Sequence, residues 1–231
     1  MNSFVKRYQE VLANIEAAKS RCHDNRHLVT LVAVSKTKPI SDIKELALCG
    51  QLDFGENYTA ELLQKKADSN SFPLRWHFIG HLQSRKVKDI VGVCHLIHSV
   101  DSLELAREIN KRAAQKNVSQ NILLQVDLGH ESTKSGIKEE ALKQIVEGCE
   151  PLEHLSLLGL MIIPPFFEDP QKVRPYFKEL KNIRDDINSQ ALTKLPLTEL
   201  SMGMSHDYEV AIEEGATLVR VGQALFGKRD I

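Results

Sequence analysis

Eight short apolar runs punctuate the chain, separated by longer amphipathic stretches, and this alternation limits the folds open to it. The runs are Leu28–Ser35, Leu52–Gly55, Trp76–Gly80, Leu96–Val100, Ile122–Val126, Leu155–Ile163, Leu197–Ser201 and Leu218–Val221. Several lack polar alternation, as expected of parallel strands covered on both faces. Helical periodicity predicts helices between them, among others over Ile43–Cys49, Leu103–Lys116, Glu139–Cys149, Val173–Asn188 and Tyr208–Glu214. Asp101, followed by Glu104, reads as an N-cap with its capping-box partner. Phe4, Tyr8, Val11, Leu12 and Ile15 recur at helical spacing, so a further amphipathic helix opens the chain. Eight strand candidates alternating with helices predict an α/β fold, a single (β/α)8 TIM barrel with an additional N-terminal helix. An open dinucleotide-binding sheet is disfavoured, because no Gly-x-Gly-x-x-Gly follows an early run.

With 231 residues, 42% of them hydrophobic, the chain can bury a sizeable core without a staple. No linker or repeat divides it, so residues 1–231 read as one domain, with Ile163-Pro164-Pro165-Phe166-Phe167 a stiff loop within it. Its 30 basic and 31 acidic side chains nearly cancel, which argues against nucleic acid or an anionic membrane as partner. Cys22, Cys49, Cys94 and Cys149 lie far apart, so reduced thiols are expected, not a disulfide framework or zinc site. The first residues carry Lys6, Arg7, Glu10 and Glu16 and form no signal-peptide core. The expectation is a soluble, cytoplasmic protein.

What ends each run is more informative. In order come Lys36, Asn57, His81, Asp101, Asp127, the Met161 region, Ser201 and Arg220. Barrel enzymes place their chemistry at these carboxyl ends. Lys36 directly follows Leu31-Val32-Ala33-Val34-Ser35; a lysine at a buried strand tip is desolvated, which favours the neutral amine that attacks aldehydes. The competing reading is a lysine that snorkels to solvent. Ser201-Met202-Gly203-Met204-Ser205 leads from the seventh run into a helix, with Gly203 allowing close backbone approach and Ser205 where an N-cap would stand. Arg220-Val221-Gly222 leads from the eighth run into another helix. Barrels commonly hold phosphate between these two loops, on amides at helix starts.

Other signals fail on inspection. Gly203-Met204-Ser205-His206-Asp207 lacks the second glycine of a nucleophile elbow. Gly129-His130-Glu131-Ser132-Thr133-Lys134-Ser135 lacks the glycine that precedes a P-loop lysine and follows the wrong run. His77 and His81 would stand about 13 Å apart along a strand. His95 and His98 would point to opposite faces. No metal site is expected.

Read together, several stretches resemble the pyridoxal phosphate homeostasis protein family. They are Val34-Ser35-Lys36-Thr37, Phe54-Gly55-Glu56-Asn57-Tyr58 and Trp76-His77-Phe78-Ile79-Gly80-His81-Leu82-Gln83. Ser132-Thr133-Lys134-Ser135-Gly136, Gly159-Leu160-Met161, Ser201 to Ser205, and Val219-Arg220-Val221-Gly222 to Phe226-Gly227 continue the match along almost the whole chain. The resemblance implies a barrel similar to the N-terminal domain of alanine racemase, with pyridoxal 5'-phosphate on Lys36 as a Schiff base. It places Ser201, Gly203, Ser205 and Gly222 around the phosphate, Asn57, His81 and Met161 in the pocket, and Arg220 near the ring or its phosphate. An arginine at the ring nitrogen would keep that nitrogen unprotonated and weaken the electron sink. Arg85, Asp127 and His206 depart from the family's pattern, at the rim or the helix surface.

The function so implied is storage, buffering or delivery of the cofactor, without robust catalysis. Candidate partners are apo forms of pyridoxal phosphate-dependent enzymes, and the chain is expected to be monomeric. The alternative is an amino-acid racemase of fold type III, which needs a second acid/base, a tyrosine from a β domain after the barrel. The chain ends at Ile231, so that domain is not expected, and Tyr58 is the one tyrosine near the mouth. A class I aldolase would use the lysine but would lack the family's motifs.

Overall fold

The computed structural model describes residues 3–22, 28–129 and 135–227. Its strands are β1 (Thr30–Val34), β2 (Asp53–Glu56), β3 (Arg75–Phe78), β4 (Leu96–Val100), β5 (Gln120–Asp127), β6 (Ile137–Lys138), β7 (Leu155–Ile162), β8 (Glu199–Met204) and β9 (Leu218–Val221). All pairings are parallel, and the order β4-β3-β2-β1-β9-β8-β7-β5 closes through a β4–β5 pairing into an eight-stranded barrel. The two-residue β6 lies beside the carboxyl end of β5. Around the barrel run α1 (Ser3–Arg21), α2 (Ile40–Leu48), α3 (Thr59–Asp68), α4 (Val87–Ile90), α5 (Leu103–Gln115), α6 (Glu139–Cys149), α7 (Arg174–Ser189), α8 (Tyr208–Glu213) and α9 (Gln223–Phe226).

Each expected run thus carries a strand. The alternation of side chains along a strand sorts two apolar layers. Val32, Leu96, Leu123, Met161 and Leu218 pack together inside the barrel. Ala33, Ile97, Leu124, Leu160 and Val219 face outward into the larger core shared with the helices. Burying a Leu, Ile or Phe side chain of this kind contributes roughly 1.5–3 kcal/mol.

Some local expectations change. Ser102, not Asp101, caps α5, accepting from Leu105 N at 3.3 Å. Asp101 instead lies 3.4 Å from His81 Nδ1. Ser205 does not cap α8: Asp207 stands at that N-cap and accepts from Met204 N at 2.6 Å. The α3 helix carries Gln64, Lys65, Lys66 and Asp68 in its latter half, and its apolar signal is correspondingly weak.

The opening helix is fixed to the carboxyl-terminal part of the barrel. Arg7 Nε donates to Leu225 O at 2.9 Å, Asn14 donates to the Tyr208 hydroxyl at 3.1 Å, and the Phe4 and Phe226 rings lie 5.4 Å apart. It therefore buttresses α8 and α9, the helices that follow the two candidate phosphate loops. Among the described residues no helix is long and apolar enough to cross a membrane.

Candidate functional site

A cavity of about 320 Å³ opens where the strands end. The ends of β1, β2, β3, β7, β8 and β9 all contribute to it, through Val34 and Lys36, Asn57, Ile79, Ile163, Ser205, and Arg220 with Gly222. Ile79, Ile163, Phe166 and Met204 give it apolar walls, while Lys36, Lys38 and Arg220 bring positive charge. No carboxylate lines it among the described residues. A pocket with this lining suits a small, flat, anionic molecule: the walls take up apolar area and the cations and amides take the charge.

Lys36 is half-buried in the turn after β1, two residues past the strand. The turn is tight. Thr37 has φ 64°, an uncommon conformation for a β-branched residue. Such strain persists only where neighbours over-determine it, and here they do. Thr37 N donates to Glu61 Oε1 at 2.6 Å, and the Ser35 hydroxyl donates to Glu56 Oε1 at 2.6 Å. Lys65 ties the group together, donating to Ser35 O at 2.7 Å, Glu56 Oε1 at 2.8 Å and Glu61 Oε1 at 2.6 Å. Burial of Glu56 raises its pKa, against the hydrogen bonds from Lys65 and Ser35.

On the opposite side, the Ser205 hydroxyl accepts from Gly222 N at 3.1 Å and Ala224 N at 3.3 Å, so the β8 loop meets the amides that open α9. Gly203 has φ +90°, and a Cβ there would stand 2.6 Å from Ala211 Cβ and 2.9 Å from Tyr208 Cα. Its lack of a side chain is required by the packing of α8 on the end of β8.

Arg220 is buried, 4% exposed, yet lines the cavity. Nη1 donates to Ser201 Oγ at 2.6 Å and Nη2 to Ile162 O at 2.8 Å. Burial pushes its guanidinium down to about 10, with Asp207 opposing, so it stays cationic at neutral pH.

Of the nine residues expected at the site, Lys36, Asn57, Ser205, Arg220 and Gly222 meet on the cavity. His81, Met161, Ser201 and Gly203 are not among its lining residues. His81 is exposed at the rim, with Nδ1 3.2 Å from Ser135 Oγ. Met161 belongs to the apolar layer inside the barrel, and Ser201 lies buried beneath Arg220. The Ser132-Thr133-Lys134 stretch lies outside the described residues. Lys38 and Gln223 line the cavity without having been singled out, and His206, expected on the helix surface, lines it as well. His206 Nε2 is bonded to Glu168 O at 3.0 Å, and its ring lies 5.4 Å from that of Phe166.

Residues 7–230 match the family described as "Alanine racemase, N-terminal domain". A pyridoxal phosphate homeostasis protein of Aquifex aeolicus is 46% identical over 97% of this chain and 97% of its own length. Another, from Pseudomonas aeruginosa, is 40% identical over 100% of this chain and 97% of its own. The chain belongs to the pyridoxal phosphate homeostasis protein family. PipY of Synechococcus elongatus, solved with PLP bound, superposes with a TM-score of 0.86 at 34% identity, covering 97% of this chain and 100% of its own.

In this member of the pyridoxal phosphate homeostasis family, the residues around the cavity fit the group in the family's name. Asn57 Oδ1 is buried and has no hydrogen-bond partner among the described residues, and Asn57 lines the cavity. A buried acceptor left unpaired is costly, so a donor on a bound molecule would relieve it. Arg220 uses two of its five N–H groups within the protein, leaving others for a ligand. Cations, amides, apolar walls and an unpaired acceptor together fit a phosphorylated, hydroxylated aromatic ring.

The buried interior adds a pH dependence. Burial, with His77, Arg220 and His95 nearby, pushes His98 well below its ordinary pKa. The unfolded chain takes up a proton near pH 6.5 that the folded chain refuses, so stability falls as pH drops below that value, by about 1.4 kcal/mol per pH unit. Urea unfolding at pH 7 and pH 5.5 is expected to show this loss and to show less of it in His98→Gln. Equal losses in both proteins would contradict it.

Proposed function

We propose that this protein binds pyridoxal 5'-phosphate in the cavity and serves its homeostasis, by storage, buffering or delivery, without robust catalysis of its own. The observation that carries the reading is the meeting of Lys36, Arg220, Ser205 and Gly222 around one cavity free of carboxylates among its described lining residues. Lys36 would hold the cofactor as a Schiff base, Ser205 and Gly222 would take the phosphate, and Asn57 and Arg220 would meet the ring or its substituents. Ser201 would act through Arg220, Met161 as the floor beneath, Gly203 through the packing of α8, and His81 at the rim.

When bound to an amino acid, this cofactor supplies an electron sink for carbanion chemistry. Residues here support little use of it. The titratable groups that line the cavity besides Lys36 are Lys38, Arg220 and His206, with no tyrosine or carboxylate among the described lining residues. His206 is committed to Glu168 O, with its ring tilted against that of Phe166. A racemase needs two placed acid/base groups on opposite faces, and the second is not evident in this lining. The same reading takes residues 1–231 as one cofactor-binding domain, monomeric and cytoplasmic, with apo pyridoxal phosphate-dependent enzymes as candidate recipients.

The test is to add pyridoxal phosphate to the purified protein, record the visible spectrum, reduce with borohydride and map the modified peptide. A visible band in wild type, absent in Lys36→Ala, with the label on Lys36 is the expected result. No band after loading, or a band that survives Lys36→Ala, would overturn the reading.

A further inference from the structure

Beneath Arg220 a row of polar side chains crosses the barrel interior. Ser201 Oγ, which accepts from Arg220, lies 2.7 Å from His98 Nδ1. His98 Nε2 lies 2.9 Å from His77 Nδ1, and His77 Nε2 lies 2.9 Å from Asp53 Oδ1. Asp53 Oδ2 in turn accepts from Arg75. Ser201, His98 and His77 are each at most 1% exposed, and Asp53 is 6% exposed. Asp53 and Arg75 begin β2 and β3, so the row runs from the cavity at the carboxyl ends to the opposite face of the barrel.

With His77 neutral, the protons of this row follow from its two ends. Arginine offers only donors, so Ser201 Oγ must accept from Arg220. A carboxylate offers only acceptors, so a neutral His77 must carry its proton on Nε2, facing Asp53. His77 Nδ1 is then an acceptor, and the proton between the imidazoles belongs to His98 Nε2. That leaves His98 Nδ1 bare, and the Ser201 hydroxyl proton points to it. Every donor aims from Arg220 toward Asp53, and no buried nitrogen is orphaned. The reverse order would set a bare His77 nitrogen against a carboxylate, and only a cationic His77 could avoid that.

We propose that Asp53, His77, His98 and Ser201 form a positioning chain that commits the Ser201 lone pairs to Arg220 and so holds the guanidinium at the cofactor cavity. This rests on reading the cavity as the cofactor site. Burial alone would raise the Asp53 pKa, but the hydrogen bonds from His77 and Arg75 outweigh it and keep the carboxyl below its usual range, so the anionic end is present at neutral pH. The charged and titratable groups around the imidazoles are Asp53 from β2, Arg75 from β3, His95 before β4, and Arg220 from β9.

Two measurements decide it. In the cofactor-free protein, nitrogen NMR near neutral pH is expected to find His98 as the Nε2–H tautomer, and Asp53→Asn to mix its tautomers; a wild-type His98 protonated on Nδ1 would overturn the chain. In the loaded protein, Asp53→Asn is expected to weaken pyridoxal phosphate binding about threefold to tenfold, the loss of about one hydrogen bond's net contribution. It should also move the midpoint of the pH-dependent change in the bound cofactor's spectrum. Ser201→Ala should do the same, and the double variant should be no worse than Ser201→Ala, since the chain is already cut. Independent structural damage would add instead, and additive effects, or an unchanged affinity and midpoint in Asp53→Asn, would overturn the proposal. If wild type fails to bind the cofactor at all, the function reading falls, while the tautomers of the free protein still decide the chain.

Discussion

Lys65→Met is expected to cost the protein about 3–5 kcal/mol of stability, the range for breaking a buried ion pair from one side. Lys65 and Glu56 are both buried, and one Glu56 oxygen, Oε2, already lacks a partner among the described residues. Removing the ammonium strands the carboxylate with the Ser35 hydroxyl as its remaining partner. It also releases Ser35 O and Glu61, the groups that hold the turn bearing Lys36. Two readouts follow. Urea unfolding measures the stability loss, and titration with pyridoxal phosphate measures weakened binding at the proposed Lys36 site in whatever fraction stays folded. The sign of the pH dependence is fixed. The folded pKa of Glu56 is raised, so its charge is destabilising above the unfolded carboxyl pKa, and the deficit of Lys65→Met should narrow on acidification toward the folded value. Glu56→Gln added to Lys65→Met should restore part of the loss, because the uncompensated charge is gone. A Lys65→Met protein as stable as wild type at pH 7 would show that the pair contributes nothing there.

Gly159→Ala is expected to prevent stable folding, a loss above about 4 kcal/mol. Gly159 pairs with Glu199 where β7 meets β8, and a Cβ at that position would stand 1.8 Å from Glu199 O. The obstacle is backbone, so no rotamer change relieves it, and the two strands must separate next to Met161, Ser201 and the Arg220 anchor at Ile162 O. Gly222→Ala is the matched control. Its Cβ would meet Val34 at 3.4 Å, an ordinary contact, and the fold should survive. Circular dichroism and urea unfolding of the two variants check this; a cooperative, wild-type-like transition in Gly159→Ala would refute the close approach of the strands.

The chain's alternation of apolar runs and amphipathic stretches was enough to place eight strands and the barrel they form, because a parallel strand covered on both faces has to be written as a local apolar run. The same logic put Lys36, Ser205, Arg220 and Gly222 at strand ends on one mouth, since a barrel's topology brings all such ends together. Local pattern could not say which of those ends line the cavity. Met161 and Ser201 look like site residues in the sequence, but the register of β7, β8 and β9 puts them below it, and Gly203 is required by a helix that packs on it.

The two supports of the site were invisible for a physical reason. Lys65 is an ordinary helix lysine until α3 folds onto the turn between β1 and α2, and its partners are 4, 9 and 30 residues away in sequence. His77 and His98 were weighed only as metal ligands along their own runs. They face each other because the β3–β4 pairing sets His77 beside Leu96, two residues before His98 on the same inward face. Sequence, then, determined the fold class and the mouth on which the candidate residues gather, because both follow from short-range periodicity. Tertiary structure alone decided which side chains meet across the barrel, and so which protons and charges stand behind Lys36 and Arg220, because those contacts join residues that no local pattern relates.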